Sequence, residues 1–362
     1  MAAREIVLLP GDGIGPEVAA AAAPVLAAAF PGWRLREAEI GWSRWCAEGD
    51  PVPPATWAAL EAADAALLVA VTSKPARAAE AELAPQLRGR GLVYRSPVLQ
   101  LRSRLDLYAN VRPIDLPDGT RCTVVRENTE GLYGHDLDAA AVRASGVGAR
   151  IAGDPTVRAG GAEDLAVALR VTTGFGWRRL LRAAAAQTRR GRVTVADKPN
   201  ILQASGEILH RAIDEVAAEH PGVDFELANV DLVAMRMVAD PGHYDVIAAE
   251  NVFGDILSDL GAGLMGGLGA AASANIGAAH AVFEPVHGSA PDIAGRGIAN
   301  PAAFLLAAAM CGEHLGEAGA AAALRGAVAA ALADPAAATP DAGGSGDTAG
   351  FAAAVLDRLD RG

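Results

Sequence analysis

Lysine is almost missing from this sequence. Of its 31 lysine and arginine residues only two, Lys74 and Lys198, are lysines. We interpret the bias as an effect of codon composition that has exchanged lysine for arginine nearly everywhere. A retained lysine is then informative, because arginine stays protonated at working pH whereas a partly buried lysine can accept a proton. Lys198 is therefore a candidate general base, with chance survival as the alternative explanation.

Cysteine and long apolar runs are scarce as well. Three scattered cysteines, Cys46, Cys122 and Cys311, predict neither a disulfide framework nor a metal cluster, and they fit a reducing cytoplasm. No apolar run approaches the roughly 20 residues that span a bilayer. The first ten residues predict a strand rather than a signal peptide, because they carry Arg4 and Glu5 and no small-residue cleavage site follows. We expect a cytoplasmic protein.

The net charge of −12 disfavours nucleic acid and anionic membranes as partners. A polycarboxylate substrate would need a local basic pocket to overcome this field. Several common nucleotide and hydrolase motifs are absent, including the phosphate-binding P-loop and the nucleophile elbow. The glycine-rich turn at 11–16 is not the Rossmann fingerprint, because its third glycine comes one position early and a proline follows.

The segments that are present alternate between strands and helices. Residues 5–9 and 65–71 predict buried strands, and residues 16–30 predict a helix. We expect residues 163–187 to be helical with an interruption at 174–176, and residues 135–161 to form a loop or an arm. This alternation predicts an α/β fold with a largely parallel sheet.

Three arginines mark a candidate anion site. Arg102 and Arg112 lie ten residues apart, and Arg126 follows a predicted strand. The planar guanidinium group holds a carboxylate by two contacts, so three such groups near one point would bind a di- or tricarboxylate. For any single arginine, a solvated surface position is the simpler explanation.

Acidic residues mark a candidate metal site. Asp255 and Asp259 are four residues apart, so on a helix they share one face, and Asp231 is a third candidate. Carboxylate oxygens suit a hard cation such as Mg²⁺ or Mn²⁺. The alternative is a pair of surface aspartates near a helix N-terminus. Separately, the small-residue loop 283–295 could let a ligand approach the backbone, and Asp292 in it could bind an adenosine ribose, which would favour NAD.

Together these stretches resemble the β-decarboxylating dehydrogenases, which include the isocitrate, homoisocitrate, 3-isopropylmalate and tartrate/D-malate dehydrogenases. The matching stretches occur in the family's order and span most of the chain: LPGDGIGPEV (9–18), LDLYANVRP (105–113), VVRENTEGLY (124–133), DKPN (197–200), NVFGDILSDL (251–260) and FEPVHGSAPDIAGRGIANP (283–301).

The resemblance implies a role for each matching position. Arg102, Arg112 and Arg126 would grip the malate-type carboxylates, Lys198 would act on the substrate hydroxyl, and Tyr133 would protonate the enol after CO2 leaves. Asp231, Asp255 and Asp259 would bind Mg²⁺ or Mn²⁺. The positions implied in NAD binding are Thr72, Ser73, Asn200, His287, Gly288, Ser289, Ala290, Pro291, Asp292, Ile293 and Asn300.

The resemblance also implies the fold and the assembly. The family fold has two α/β lobes rather than a standard Rossmann domain. We expect residues 1–107 and 263–362 to form a large cofactor-binding lobe, and residues 108–262 a small lobe with the dimer interface and its arm. Family members are homodimers in which the partner supplies a lysine and an aspartate to each site, here Lys198 and Asp231.

The substrate's side group is left open by conflicting signals. Val98 and Leu99 are apolar where isopropylmalate enzymes carry leucines, which favours an alkyl group. Arg95 and Ser96 could meet an anionic tail, and the motifs around the arginines are most similar to homoisocitrate and isocitrate members. A homoisocitrate- or isocitrate-like acid is our first choice. The alternatives are 3-isopropylmalate, D-malate or tartrate, a phosphonate analogue in secondary metabolism, or a catalytically silent regulatory subunit.

Overall fold

A computed structural model describes residues 3–116, 118–133, 135–161 and 163–360. The strands are β1 Arg4–Gly11, β2 Trp33–Glu37, β3 Ala65–Ala70, β4 Ala109–Asp115, β5 Arg121–Glu127, β6 Asp136–Leu137, β7 Val167–Ala168, β8 Arg192–Asp197, β9 Asp224–Asn229, β10 Val246–Ala249, β11 Ala272–Ile276 and β12 Ala281–Pro285.

The helices in the same residues are α1 Gly15–Ala29, α2 Trp42–Glu48, α3 Pro54–Ala62, α4 Ala76–Glu82, α5 Pro97–Arg104, α6 Ala139–Ala144, α7 Val147–Ile151, α8 Pro155–Gly160, α9 Gly174–Ala185, α10 Gln203–Glu219, α11 Val230–Ala239, α12 Asn251–Leu264, α13 Ala302–His314, α14 Ala318–Leu332 and α15 Thr348–Leu359. Within this part of the chain no helix is long and apolar enough to cross a membrane.

The chain divides into two compact units. The first comprises Met1–Thr123 with Ser258–Gly362, and the second comprises Val124–Leu257. The α/β class expected from the sequence is confirmed. The assignment of the cofactor to the large lobe, and of the dimer arm to the small one, stays a prediction.

The first unit is built on strands in the order β2-β1-β3-β12-β11-β4. The strand β1 pairs in parallel with β2 and β3, and β12 is also parallel to β3. Strand β11 runs antiparallel to both β12 and β4. The expected parallel sheet is therefore mixed in this unit. Every residue of β3 is buried, as expected for an apolar strand that is covered on both faces.

Helix α5 is anchored in the core of the first unit. Leu101 and Leu105 lie in an apolar cluster with Leu9, Leu68 and other buried side chains. Burial of a leucine side chain contributes about 2 kcal/mol, so this face of the helix cannot easily rotate out of the core. The polar residues on its other faces are thereby held in place.

The second unit orders its strands β5-β10-β8-β9, with β8 parallel to both β10 and β9. The two short strands β6 and β7 form a separate antiparallel pair. The segment that we expected to be a loop or an arm contains the short helices α6, α7 and α8 as well as β6.

The prediction of a helix over 163–187 is wrong at its N-terminal end. Residues before 174 include β7, and α9 begins at Gly174. The expected interruption at 174–176 is the first turn of the helix. The hydroxyl of Thr173 caps this turn by accepting from the amide of Gly176 at 2.9 Å, so threonine rather than glycine sets the boundary.

Candidate active site

A cleft in the first unit brings together predicted substrate and cofactor residues. Its cavity volume is 210 Å³. The lining residues come from β3 and the loop after it, from α5 and the residue before it, from β4 and β11, and from β12 and the loop after it. Those used below are Ser73, Ser96, Val98, Arg102, Arg112, Glu284, His287 and Gly288.

Helix geometry explains which predicted specificity residues reach the cleft. Val98 and Arg102 are four residues apart on α5, so they lie on one face of the helix, and both line the cleft. Ser96, the residue just before α5, lines the cleft as well. Arg95 and Leu99 point elsewhere: both are exposed and neither lines this cleft. Of the four predicted specificity residues, two are therefore placed to contact a bound acid here.

The two predicted substrate arginines of the first unit, Arg102 and Arg112, are buried and lie against carboxylates. The side-chain nitrogen Nη2 of Arg102 is 3.7 Å from Glu284. Nη1 of Arg112 donates to Ser258 at 2.7 Å and to Asp259 at 2.9 Å. A guanidinium group presents its donors in a planar fork that matches a carboxylate, so both arginines stay candidates for binding the acid. Glu284 was not identified from the sequence.

The third arginine organises a cluster in the second unit. The Arg126 side chain is 2% exposed, donates to Asn251 at 2.8 and 3.1 Å, and forms an ion pair with Asp255. The hydroxyl of Tyr133 donates to the other Asp255 oxygen at 3.0 Å, and the Arg126 guanidinium lies 5.5 Å from the tyrosine ring centre. The predicted proton donor, one carboxylate-binding arginine and one metal ligand thus meet at a single carboxylate.

Two glutamates, of which Glu127 is buried, hold the loop that carries Tyr133. Glu127 accepts from the amides of Thr129 and Glu130, and burial raises the pKa of its carboxyl group. Glu130 in turn accepts from the amide and the hydroxyl of Thr173 at 2.9 and 2.5 Å. The two glutamates of the RENTEGLY stretch, Glu127 and Glu130, therefore order the loop backbone.

Lys198 and Asp231 lie at the ends of neighbouring strands of the second unit. The strands β8 and β9 pair Asp197 with Asn229, which places the residues that follow them side by side. The ammonium group of Lys198 donates to Asp231, and this bond lowers the pKa of the Asp231 carboxyl group. The predicted base and one predicted metal ligand are in contact.

The three predicted metal ligands do not form one cluster within the described residues of a single chain, where no group of three His, Cys, Asp or Glu side chains could hold an ion. Asp255 and Asp259 are one turn apart on α12, whereas Asp231 begins α11. Their oxygens are nevertheless the donors that Mg²⁺ and Mn²⁺ prefer. The assignment of these three aspartates to one metal site stays a prediction.

A second cavity of the first unit suits an adenine ring. It has a volume of 490 Å³ and mainly apolar walls. The His287 atom Nε2 is buried there with no hydrogen-bond partner in the described part of the chain, while burial lowers the pKa of this imidazole. A neutral ring nitrogen in an apolar slot fits a base edge. The walls are Ile14, Gly269, His287, Gly288, Ala290, Ile293, Ile298, Ala299, Asn300, Pro340 and Asp341.

Asp341 is a residue that the sequence did not point to. One of its oxygens accepts from the Asn300 amide at 3.1 Å and the other from the Thr339 hydroxyl at 2.6 Å. The segment 339–346 carries only turn signals, and its approach to Asn300 is a tertiary contact. Of the remaining predicted cofactor residues, Pro291, Asp292 and Asn200 are exposed.

The glycine-rich turn after β1 supports the cofactor loop. The amide of Ile14 donates to the Ser289 carbonyl at 2.9 Å, and the Ser289 and Thr72 hydroxyl oxygens are 2.6 Å apart. Gly13 has a φ of +59°, and a Cβ atom there would lie 2.0 Å from the Ser289 carbonyl oxygen. Asp12 accepts from the amide of Thr72. This turn is a structural support for the loops at 72 and 289.

Comparison with known proteins identifies the family. The family model described as isocitrate/isopropylmalate dehydrogenase matches residues 5–355. The chain belongs to this family. The recognition of β-decarboxylating dehydrogenase motifs in the sequence, the expected two-lobed family fold and the assignment as a dehydrogenase are confirmed at the level of the isocitrate/isopropylmalate dehydrogenase family.

Individual relatives of this chain within the family have different names. Protein DlpA of Legionella pneumophila is 41% identical over 99% of this chain, which spans 59% of that protein's length. The 3-isopropylmalate dehydrogenase of Rhodococcus jostii is 39% identical, with 91% of this chain and 94% of that protein aligned.

Two solved structures have closely similar folds. An isocitrate dehydrogenase from Methylococcus capsulatus has a TM-score of 0.82 and 36% identity, covering 98% of this chain and 99% of its own. A β-decarboxylating dehydrogenase from Thermococcus kodakarensis has a TM-score of 0.78 and 33% identity, with coverages of 99% and 96%. The names span different substrates, so the family does not specify the acid.

Proposed function

We propose that this protein catalyses the NAD-dependent and Mg²⁺- or Mn²⁺-dependent oxidative decarboxylation of a 3-substituted malate-type 2-hydroxy acid. The observation that carries the proposal is the first-unit cleft, because it joins Arg102 and Arg112 to Ser73, His287 and Gly288. The predicted carboxylate-binding groups and the predicted nicotinamide loop therefore border one space.

Different residues of the chain bind the acid, transfer protons, and hold the metal and the cofactor. Arg102, Arg112 and Arg126 bind and orient the carboxylates of the acid. Lys198 takes the proton of the substrate hydroxyl, and Tyr133 returns a proton to carbon after CO2 has left. When bound, the metal supplies positive charge to the reacting oxygens and NAD supplies the hydride acceptor. Asp231, Asp255 and Asp259 would hold the metal, and the slot at His287 and Asn300 would hold the adenosine.

Sharing of the site between two subunits is part of the proposal. Lys198 and Asp231 lie beside an exposed apolar stripe on α11, where Leu232, Met235 and Val238 are 47%, 59% and 59% exposed. Three large apolar side chains on one helix are typical of a surface that another protein covers. A homodimer would bury this stripe and carry Lys198 and Asp231 to the partner's site.

The side group of the acid is proposed to be homoisocitrate- or isocitrate-like. Ser96 lines the cleft, and its hydroxyl supports the proposal of a polar tail on the acid. A 3-isopropylmalate-like acid is the second candidate, because Val98 lines the same cleft and gives it an apolar wall. Asp292 is exposed with a carboxylate that would repel a 2′-phosphate, which supports NAD over NADP.

The test is NADH formation by the purified protein with Mn²⁺. Homoisocitrate, isocitrate, 3-isopropylmalate, D-malate and tartrate are assayed in parallel, each with and without a chelator, and with NADP in place of NAD. Turnover of one acid that the chelator abolishes supports the proposal and identifies the substrate. Absence of turnover on every acid, together with absence of NAD binding, would reject the enzyme in favour of a silent regulatory subunit.

A further inference from the structure

A continuous chain of buried polar groups connects the two arginines of the first-unit cleft. The Arg112 Nε–H donates to Asn110 Oδ1 at 2.6 Å, and the Asn110 amide nitrogen donates to Asn275 Oδ1 at 2.9 Å. The Asn275 amide nitrogen donates to Glu284 Oε1 at 2.8 Å, and the same carboxylate oxygen lies 3.7 Å from Arg102. We call these three linking residues, Asn110, Asn275 and Glu284, the bridge.

The strands place the bridge across the sheet. Asn110 on β4 and Asn275 on β11 are direct partners in the antiparallel register. Glu284 on β12 is opposite Ser273, two residues from Asn275 along β11, which is a diagonal neighbour on the same face. Arg112 follows Asn110 by two residues, so its side chain also projects from that face. The bridge is a row across three adjacent strands.

Because this row is buried, each of its polar atoms needs a hydrogen-bond partner. Asn110, Asn275 and Glu284 are 0%, 2% and 9% exposed. Placing a polar group in such an interior costs free energy unless each donor and acceptor is paired. An apolar row would fill the same space without that requirement, so the polar residues need a reason beyond packing.

The charged ends determine the direction of the bridge. Arg112 can only donate, which turns the Asn110 carbonyl toward it and the Asn110 amide nitrogen away. Glu284, as a carboxylate, can only accept, which turns the Asn275 amide nitrogen toward it. Both amides are thereby oriented by their neighbours, and a flip of either would oppose donor to donor or acceptor to acceptor.

We propose that Asn110 and Asn275 are positioning residues that, through Glu284, set the separation and orientation of the Arg102 and Arg112 guanidinium groups. The inference rests on the proposed function, in which both groups bind one acid. Neither asparagine contacts the acid in this role. Each acts by holding an arginine or its partner, so that one rigid row presents both cations to the carboxylates.

The direction of the bridge suggests a reversal experiment. In Asn110→Asp, residue 110 still accepts from Arg112 but can no longer donate to Asn275. In Glu284→Gln, the end facing Arg102 and Asn275 loses its charge and gains a donor. In the double variant Asn275 can flip, donate to Asp at 110 and accept from Gln at 284. Both links through Asn275 are then paired again with reversed polarity and unchanged net charge. The flip gives up the 3.3 Å bond from the Asn275 amide nitrogen to the Val282 carbonyl, and Arg102 loses its carboxylate neighbour, so we expect a partial rescue.

The readouts are the KM for the acid, kcat, and the free energy of unfolding. Each single variant should raise KM by about tenfold, as expected for one misplaced charged hydrogen bond, with a smaller change in kcat. The double variant should raise KM by clearly less than the two single effects multiplied together, which is the result expected for independent sites, because the links through Asn275 are paired again. The unfolding free energy should fall in both single variants and recover in part in the double one.

A matched control separates positioning from stability. Thr56 is buried in the same unit, and its hydroxyl donates to the Glu39 carbonyl at 2.6 Å, away from the cleft. Thr56→Val should lower stability and leave KM unchanged. Stability that recovers in the double variant without recovery of KM would reduce the bridge to a structural role and overturn the proposal. Additive losses in the double variant would overturn it as well.

Failure of the proposed function would be visible separately. A wild-type protein that turns over none of the acids and does not bind NAD rejects the function. The stability cycle of Asn110→Asp and Glu284→Gln needs no substrate, and it still decides whether the paired, directional bridge exists.

Discussion

At the scale of single residues, rarity alone did not distinguish the two lysines. Lys74 forms an exposed ion pair with Glu82 at 2.8 Å and lies 5.0 Å from the Trp42 ring centre. Lys198 contacts Asp231 just beyond the paired ends of β8 and β9. The contacts of each lysine, rather than the scarcity of lysine, therefore distinguish a surface lysine from a candidate base.

The two lysines allow a matched pair of variants. Lys198→Met should lower kcat by roughly 10²–10⁴-fold, the usual contribution of a positioned base. Lys74→Met should leave kcat within about threefold, because a surface ion pair contributes little. Steady-state kinetics on the acid found in the substrate panel provide the measurement. Equal losses in both variants would remove Lys198 from its proposed role.

His287 predicts a pH dependence of stability. Burial holds its pKa below the usual 6.5, so the folded state favours the neutral ring. The unfolded chain then binds more protons than the folded one as pH falls below about 6.5, and the folded state loses stability there. Urea unfolding at pH 8 and pH 5.5 should show a larger loss for the wild type than for His287→Gln. Equal losses would contradict this origin.

At the scale of elements, α12 requires a close approach to β5. A Cβ atom on Gly254 would lie 2.7 Å from the Cβ and Cγ atoms of Arg126. The helix can therefore bring Asn251 and Asp255 to the buried guanidinium only if residue 254 has no side chain. Gly263, near the other end of the same helix, has nothing within 4 Å of such an atom.

This difference gives a prediction for two alanine variants. Gly254→Ala should destabilise the protein by about 1–3 kcal/mol, because an extra carbon in a close-packed contact forces the helix away. Misplacement of Asp255 should also lower kcat/KM. Gly263→Ala should be neutral or stabilising by up to about 1 kcal/mol through helix propensity. Chemical denaturation of both variants would show whether the helix tolerates the added methyl group at 254.

At the scale of the whole molecule, the chain combines an acidic surface with a few buried cations. The net charge is −12, yet Arg102, Arg112 and Arg126 are all less than 9% exposed. Burial keeps these charges from being screened as strongly as surface charges are. An anionic acid can therefore be bound locally by a protein whose overall field opposes it.

A mixing experiment tests the proposed sharing of sites in a dimer. Tyr133→Phe and Lys198→Met are each expected to have low activity. Mixed dimers should contain one site with both native residues and one with neither. Random exchange should then restore roughly a quarter of wild-type activity, because half of the dimers are mixed and half of their sites are intact. If the activity of the mixture never exceeds that of the separate variants, each chain builds its own site.

The amino-acid sequence by itself was sufficient for local features and for the family. Apolar runs predicted β1 and β3 to within two residues of their ends, since a buried strand needs apolar side chains on both faces. The spacing of Asp255 and Asp259 correctly predicted one helix face, because helical geometry depends only on spacing. The arginines and the lysine were found by the chemistry of their side chains.

Only the tertiary structure decided the rest, because it depends on contacts between residues distant along the chain. The link from Asn110 to Asn275 and Glu284 joins three strands separated by up to 174 positions, and no local pattern encodes that register. Asp341 reaches Asn300 from a turn with no motif, and the side chain of Thr173 caps the N-terminus of α9. A side chain's type follows from the sequence, whereas its partner is chosen by how strands and loops pack.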